Sequence, residues 1–469
     1  MLPTPKNYAI YPAVIPVDVP TEMVIVPAER AYLFGDGVTY ELTVIACDGD
    51  EPDYHKHPSH VRLTLCAEGG VLHFSYTFSG EMKYLLLLSL DEKVIAELSV
   101  YALNGDLYVR RPLRGDLHAH SVRSDGSRDP AALAGHYREM GYDFFALTDH
   151  NRFYPGGEID EVYEGVFCGI VRIPGEEVHA PGSTLHVVHV GGGESVAAQY
   201  VHGLEGYLAD IEDYLSRVPE HIPEGLKERY ARAMWVTDRI HEAGGLAIFP
   251  HPFWAPGASR MVNVTPGYAS LLLLSGMFDA YELIGGMGQV GNNRSLALWG
   301  ELREQGLRIP VVGSSDVHHI EGAKTFPHLF TLVFAKEKSR EGILEAVKAG
   351  LSVAVEATGE EYDRHYRCYG SLRLVSYAQF LLHHYFPLLS RVAQGEGVAM
   401  RAYAMGEADA SLISMQAQLA EKCYRRFFGL LPPPLPTNAM MDFEERWRAV
   451  HELGPKTRGS VVFADLPLL

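Results

Sequence analysis

The spacing of hydrophobic and polar positions changes character twice along the chain. Up to about residue 112, five stretches are rich in β-branched and aromatic residues: TYELTVIA (39–46), HVRLTLCA (60–67), VLHFSYTF (71–78), KYLLLLSL (83–90) and KVIAELSVYAL (93–103). Several alternate with period two, as half-buried strands do, and Gly, Asp and Pro lie between them. The spacing predicts a small antiparallel sandwich. No cluster of reactive side chains falls there, so a packing or self-association role is expected for residues 1–112.

From Leu113 the pattern becomes strands alternating with helices. GDLHAH reads as a strand, and DPAALAGHYREMG as a helix with Asp129 as N-cap, Pro130 at the first position and Gly141 at the end. FFALTDH, CGIVRIPGEEV and TLHVVHV follow, then a long helical stretch from about 201 to 243. GLAIFPHP, DAYELIG, a helix over 294–305, RIPVVGSSDVH, LFTLVFA and a helix over 339–349 complete the region. Such alternation predicts a parallel sheet with helices outside, open or closed into a barrel, with active residues at the carboxyl ends of strands. Residues 357–469 read as mostly helical. YAQFLLHHYFPLLSRVA, ASLISMQAQLAEKCYRRFFGLL and 440–452 are the candidate helices, and LPPPLPT (431–437) is a connector.

A length of 469 residues suggests two or three domains. With 47% hydrophobic and 21% charged residues the composition is that of a soluble globular protein. The longest leucine run, 271–274, is far too short to span a bilayer. The N-terminus carries prolines and lacks a basic region followed by an apolar core, which argues against a signal peptide. Five scattered cysteines (Cys47, Cys66, Cys168, Cys368, Cys423) point to a reducing cytoplasm rather than a disulfide frame. A net charge of -19 disfavours a nucleic-acid polymer as partner.

The ionisable residues matter more than their number. His118 and His120 end the first strand, two apart and so on one face. Asp125 follows in an SDG turn. His150 ends the second strand, Glu177 lies in IPGEEV, His186 in TLHVVHV, and His251 closes AIFPHP. Asp316 and His318 close VVGSSDVH, again two apart. Imidazoles and carboxylates suit a hard or borderline divalent cation. A lone histidine is more often structural, and His136, His202, His241, His328, His365, His383 and His384 lack the strand-end placement. Parity limits the choice within the pairs His186/His189, Glu176/Glu177 and His318/His319, since a regular strand shows one of each to the site. Parity does not say which.

The segments DLHAHSVRSDG, TDHN, PGEE, LHVVH, PHP and SSDVH, in this order, resemble the motifs of the PHP (polymerase and histidinol phosphatase) metallohydrolases. The resemblance covers about residues 113–356 and neither end of the chain. It implies an α/β fold: a distorted seven-stranded β/α (TIM-like) barrel over 113–356, here between a β-sandwich-like N-terminal domain and a helical C-terminal region. It also implies two to three divalent metal ions (Mn, Fe or Zn). His118, His120, Glu177 and Asp316 would hold the first ion. Glu177, His186 and His251 would hold the second, and Asp125, His150 and His318 the third. The family pattern thereby selects Glu177, His186 and His318, with His189 as the rival to His186.

Clustered cations suit hydrolysis at phosphorus, through a bridging hydroxide and neutralised phosphoryl charge. His318, His150 or a metal-bound water could supply the leaving-group proton. Asp116 and Asp149 are expected to orient imidazoles, with capping of the strand turn as the alternative for Asp116. Arg123, Arg152 and Arg294 are the candidate phosphate-binding cations, with Lys324 beside them. The expected activity is a metal-dependent phosphoesterase acting on a small phosphorylated metabolite or nucleotide. Hydrolysis of a carboxylic ester, carbamate or amide is the nearest rival, and a non-catalytic metal-binding module the rival of another class. Neither a membrane nor a polymer partner is expected, and self-association is left open.

Overall fold

A computed structural model describes residues 7–48, 60–153, 155–255, 261–359 and 364–451. The chain divides into two compact units, one formed by Met1–Val109 with Lys422–Leu469 and the other by Arg110–Glu421. The helical region expected over 357–469 is thus shared out. Its part up to Glu421 belongs to the second unit and the rest to the first. Residues 360–363 and 452–469, including the expected end of its last helix at Glu452, lie outside the described residues.

Among the described residues the first unit contains eight strands: β1 (Tyr8–Tyr11), β2 (Val14–Pro16), β3 (Pro20–Pro27), β4 (Thr39–Ala46), β5 (Val61–Glu68), β6 (Val71–Thr77), β7 (Lys83–Leu90) and β8 (Lys93–Leu103). Their order is β1-β3-β6-β5-β4-β7-β8-β2. All neighbours are antiparallel except β2 and β8, which run parallel. The last five strands are those the period-two pattern marks. In β7 the alternation buries Tyr84, Leu86, Leu88 and Leu90 in turn. They meet Leu42 and Val44 of β4, Ile25 of β3 and Leu72 of β6 in one core, so the sheet curls around it. Each buried leucine stabilises that core by about 1.5–3 kcal/mol. The first three strands lie in the Pro-rich segment the pattern leaves unmarked. Pro16, Pro20 and Pro27 stand at strand ends, where a missing N–H is tolerated.

The second unit contains β9 (Arg111–Asp116), β10 (Phe144–Leu147), β11 (Val171–Val178), β12 (Val187–Val190), β13 (Leu246–Phe249), β14 (Ala280–Ile284), β15 (Val311–Gly313), β16 (Leu329–Ala335), β17 (Ser352–Thr358) and β18 (His365–Tyr369). The order is β15-β14-β13-β12-β11-β10-β9-β16-β17-β18. The sheet is mixed, which corrects the all-parallel expectation. β12 is antiparallel to both neighbours, and β16, β17 and β18 pair antiparallel. The physical reason is the short, helix-free link of residues 179–186, because an antiparallel neighbour needs no crossover whereas a parallel one does.

The run from β9 to β15 curls until its ends meet. Beyond β9 and β15, Ala119 and Val317 form a parallel bridge, with Asp316 N–H donating to His118 O at 3.0 Å and His120 N–H to Val317 O at 3.0 Å. At the other end β16 pairs with β9, and the Thr331 hydroxyl donates to Gly313 O at 2.7 Å on β15. The interior of this barrel-like sheet is apolar, with Leu113, Leu117, Ile173, Val188, Ile248 and Val312 in one cluster.

Helices lie around it. Helix Pro130–Glu139 starts as expected, the Asp129 carboxylate accepting from Ala131 N–H at 2.9 Å. The long stretch expected over 201–243 is three helices, Ala197–His202, Leu204–Ser216 and Lys227–Glu242. Gly203, Pro219 and Pro223 fall between them and interrupt the backbone hydrogen bonding. Among the described residues no helix is long and apolar enough to cross a membrane.

Candidate metal centre

Every proposed ligand sits on one rim of the barrel-like sheet. The Ala119–Val317 bridge lays the pair His118/His120 beside the pair Asp316/His318, so the two i, i+2 patterns become one surface. A second bridge, between His150 and Glu177, does the same for the ends of β10 and β11. His186 precedes β12 rather than ending it. Because β12 runs antiparallel, its start lies on the rim where its neighbours end. His251 and Asp316 have positive φ, 21° and 51°, at the sharp turns after β13 and β15, a strained backbone of the kind found at functional sites. A Cβ at Gly286 would collide with the Asp316 carboxylate, and one at Gly285 with that of Glu282, so these glycines make room for both.

Glu177 is the hub. Its Oε2 lies 3.4 Å from His118 Nε2, 3.4 Å from His120 Nε2 and 2.9 Å from His150 Nδ1. Its Oε1 lies 2.7 Å from His186 Nδ1, 3.0 Å from His251 Nε2 and 3.6 Å from His179 Nε2. Asp316 Oδ1 is 3.4 Å from His118 Nε2 and 3.2 Å from His120 Nε2. Asp125 completes a third group, 3.3 Å from His318 Nε2 and 3.4 Å from His150 Nε2. His120, Asp125, His150 and His318 together bring ligand atoms within 4.8 Å of one another.

These residues fit divalent ions. His118 Nε2 and His120 Nε2 are buried and have no hydrogen-bond partner among the described residues. Two ligands about 2.0–2.1 Å from one tetrahedral ion stand roughly 3.3 Å apart. The spacings among His118, His120, Glu177 and Asp316 are of that size, too long for good hydrogen bonds and right for donors sharing a cation.

Burial disfavours charge on His118, His120, His150, His186 and His251, and the balance depends on the carboxylates facing each one. His118 faces Asp316, Glu177 and Glu282, which overcome burial and hold its pKa well above the ordinary value. His150 and His251 are raised against burial mainly by Glu177. Burial wins at His120, which is lowered, and at His186, lowered to about 4. Burial pushes Glu177 up, but His118 and its neighbours bring it well below the carboxylate range, and Asp316 is likewise lowered.

Two residues escaped the sequence reading. His179 follows Glu177 by two positions, the same spacing as His118/His120, and groups with His150 and Glu177. Glu282 is wholly buried on β14 and holds His118 Nδ1 at 2.9 Å. A carboxylate inside the apolar strand AYELI was its signal.

Asp116 takes the capping alternative. Its side chain is bound by Tyr137 Oη at 2.8 Å, by His118 N–H at 3.2 Å and by the Ser315 hydroxyl and N–H, and among the described residues it hydrogen-bonds no imidazole. Burial raises it to about 6. Asp149 accepts from Ser121 N–H, Ser121 Oγ and Ser124 Oγ, and Ser124 Oγ lies 3.4 Å from His120 Nδ1, so it reaches an imidazole through one hydroxyl. Arg123 is exposed and forks onto Glu158, with Nε 2.9 Å from Oε2. Arg294 lies over the Phe253 ring at 4.5 Å. Arg152 pairs with no carboxylate among the described residues. Arg123, Asn151, Arg152, Phe153, Ser195 and His202 line a cavity of about 420 Å³.

No protein-family model matches the sequence, and no curated protein does. Solved structures similar to it include a two-domain protein from Bacteroides vulgatus containing a predicted PHP-like metal-dependent phosphoesterase, at 21% identity over 52% of this chain and 65% of that one, TM-score 0.37. A candidate metal-dependent phosphoesterase from Bifidobacterium adolescentis matches at 17% identity over 44% of this chain and 87% of that one, TM-score 0.31. An amidohydrolase from Chromobacterium violaceum, with bound sulfate and no metal, matches at 17% identity over 52% and 97%, TM-score 0.31. Two of these neighbours are thus described as metal-dependent phosphoesterases, one of them as PHP-like.

Proposed function

We propose that the chain is a divalent-metal-dependent hydrolase of phosphoesters, acting on a small phosphorylated metabolite or nucleotide. The observation that carries this reading is the Glu177 hub, with imidazoles from six positions ranged around its two oxygens and Asp125, Asp316 and His318 beside them. In it, strands β9–β15 are the distorted seven-stranded barrel of the PHP type. Two or three bound cations of the Mn, Fe or Zn kind would supply an activated water and neutralise phosphoryl charge.

The protein's own residues do the rest. Glu177 would help to hold two of these ions. Glu282 fixes the His118 ring so that Nε2 faces the cluster. His318 and His150 are half-buried beside Asp125, and where neither holds an ion, either could supply the proton a leaving oxygen needs. Arg152, beside His150, is the best-placed phosphate cation because Arg123 and Arg294 are already engaged. The cavity beside it would take the part of the substrate that does not react. All five cysteines are free thiols, in keeping with a cytoplasmic site of action. The engagement of Arg123 and Arg294 also favours a second reading, attack on a carboxylic ester, carbamate or amide, whose carbonyl needs less positive surroundings.

The test is metal content by mass spectrometry together with turnover on a panel of phosphomonoesters, diesters and carbonyl esters, for the parent chain, His120→Ala and Asp316→Asn. Two or three ions and phosphoester turnover lost in both variants are expected. Carbonyl turnover alone would select the second reading, and absence of metal after reconstitution would overturn both.

A further inference from the structure

Glu177 is the last residue but one of β11 and stands two positions before His179, the spacing that puts both side chains on the same side of an extended chain. We propose that His179 is a further metal-binding side chain, forming with His150 and Glu177 an additional seat for a zinc-like divalent cation. The inference rests on the reading that this cluster binds divalent cations, and it adds a site to it.

Four observations support the seat. Ligand atoms of His150, Glu177 and His179 lie within 4.8 Å of one another. His179 Nε2 is buried and has no hydrogen-bond partner among the described residues, and His150 Nδ1 is buried 2.9 Å from Glu177 Oε2. His179 Nε2 stands 3.6 Å from Glu177 Oε1, beyond a hydrogen bond and close to the separation of two ligands on one ion. The backbone holds the three in place: Asn151 N–H donates to Glu177 O at 2.9 Å, and His179 N–H donates to Asn151 Oδ1 at 2.8 Å. Two imidazoles and one carboxylate are also the donor set of open catalytic zinc sites.

His150 makes the seat an alternative rather than a simple addition. Its Nε2 faces Asp125 at 3.4 Å and its Nδ1 faces Glu177 at 2.9 Å. A neutral imidazole offers one lone pair. His150 therefore serves either the Asp125–His318 group or the His179 seat, and an ion there has two places to sit.

The competing explanation is that His179 only stacks on His186, whose ring lies 3.7 Å away at 22°. Phenylalanine keeps such a stack and removes the nitrogen. The experiment titrates the metal-free full chain with Co²⁺, reading visible absorption and bound metal by mass spectrometry. The panel is the parent, His179→Phe, His179→Ala, His318→Ala and the double variant H179F/H318A. His179→Phe and His179→Ala should both change the spectrum of the last-bound Co²⁺, because the share of it that sits in this seat is lost. The double variant should hold one ion fewer than His318→Ala. If the double variant matches His318→Ala in bound metal and spectrum, His179 is a stacking residue and the seat does not exist. A parent chain that binds no Co²⁺ would instead sink the metal reading itself. Far-ultraviolet circular dichroism of each variant checks that a loss is not unfolding.

Discussion

Glu176 and His189 stand opposite one another in the register of β11 and β12, with Nδ1 3.2 Å from Oε1. They are the two members that parity left over from the pairs Glu176/Glu177 and His186/His189. Facing away from the metal centre, they satisfy each other. Glu176 also accepts from Val196 N–H at 2.6 Å and Ser195 Oγ at 2.8 Å, just before helix Ala197–His202. His189→Ala should therefore cost about 1–3 kcal/mol of stability by leaving a buried carboxylate short of a partner. Metal content should not change. His186→Ala should do the reverse. Urea midpoints and metal analysis of both variants decide it, and metal loss in His189→Ala would overturn the assignment of faces.

Glu177→Gln should be the most damaging single change. The amide keeps the shape but loses the charge, and both ion positions that share this carboxylate weaken together. Bound metal should fall by two ions, and turnover by at least about a hundredfold, the effect expected when a group stabilising the transition state is removed. Loss of one ion only would show that the carboxylate does not bridge.

Glu282→Gln should act more gently and at a distance. Its Oε2 holds His118 Nδ1 and its Oε1 accepts from His251 N–H at 3.3 Å, so it positions two ligands without itself joining a metal-binding group. Metal affinity should drop about tenfold to a hundredfold, the range typical for residues that orient a ligating imidazole. Competition with a chelator measures this, and an unchanged affinity would rule out the positioning role.

Metal binding should release protons, and more of them below pH 7 than at pH 9. In the metal-free chain burial opposes charge on His118, yet Asp316, Glu177 and Glu282 raise its pKa well above the ordinary 6.5. His150 and His251 are raised as well. Each raised group carries a proton that a cation must displace. Affinity should consequently climb with pH from below 6.5 until the raised pKa values are passed, then level off. Calorimetry in two buffers of different ionisation heat counts the protons. A count near zero at pH 6.5 would contradict the electrostatic balance described above.

Much of this site was legible along the chain, and the limit of legibility is physical. Spacing by two puts His118 with His120 and Asp316 with His318, because side-chain direction in an extended segment depends only on immediate neighbours. The Asp129 cap and the apolar strands are likewise local, whereas parity alone left the choice between odd-spaced neighbours open. What remained depended on segments far apart in sequence. β12 turned out antiparallel because its link is short, and that alone brings His186 to the rim. Arg123 met Glu158, and Asp116 met Tyr137 and Ser315, partners that no nearby residue announces. The first three strands of the N-terminal unit exist because other strands pair with them, despite their prolines. The sequence by itself determined which residue types stand at which strand ends. The tertiary structure decided which of them share a cation-sized space, since that distance is set by strand register and barrel closure rather than by position along the chain.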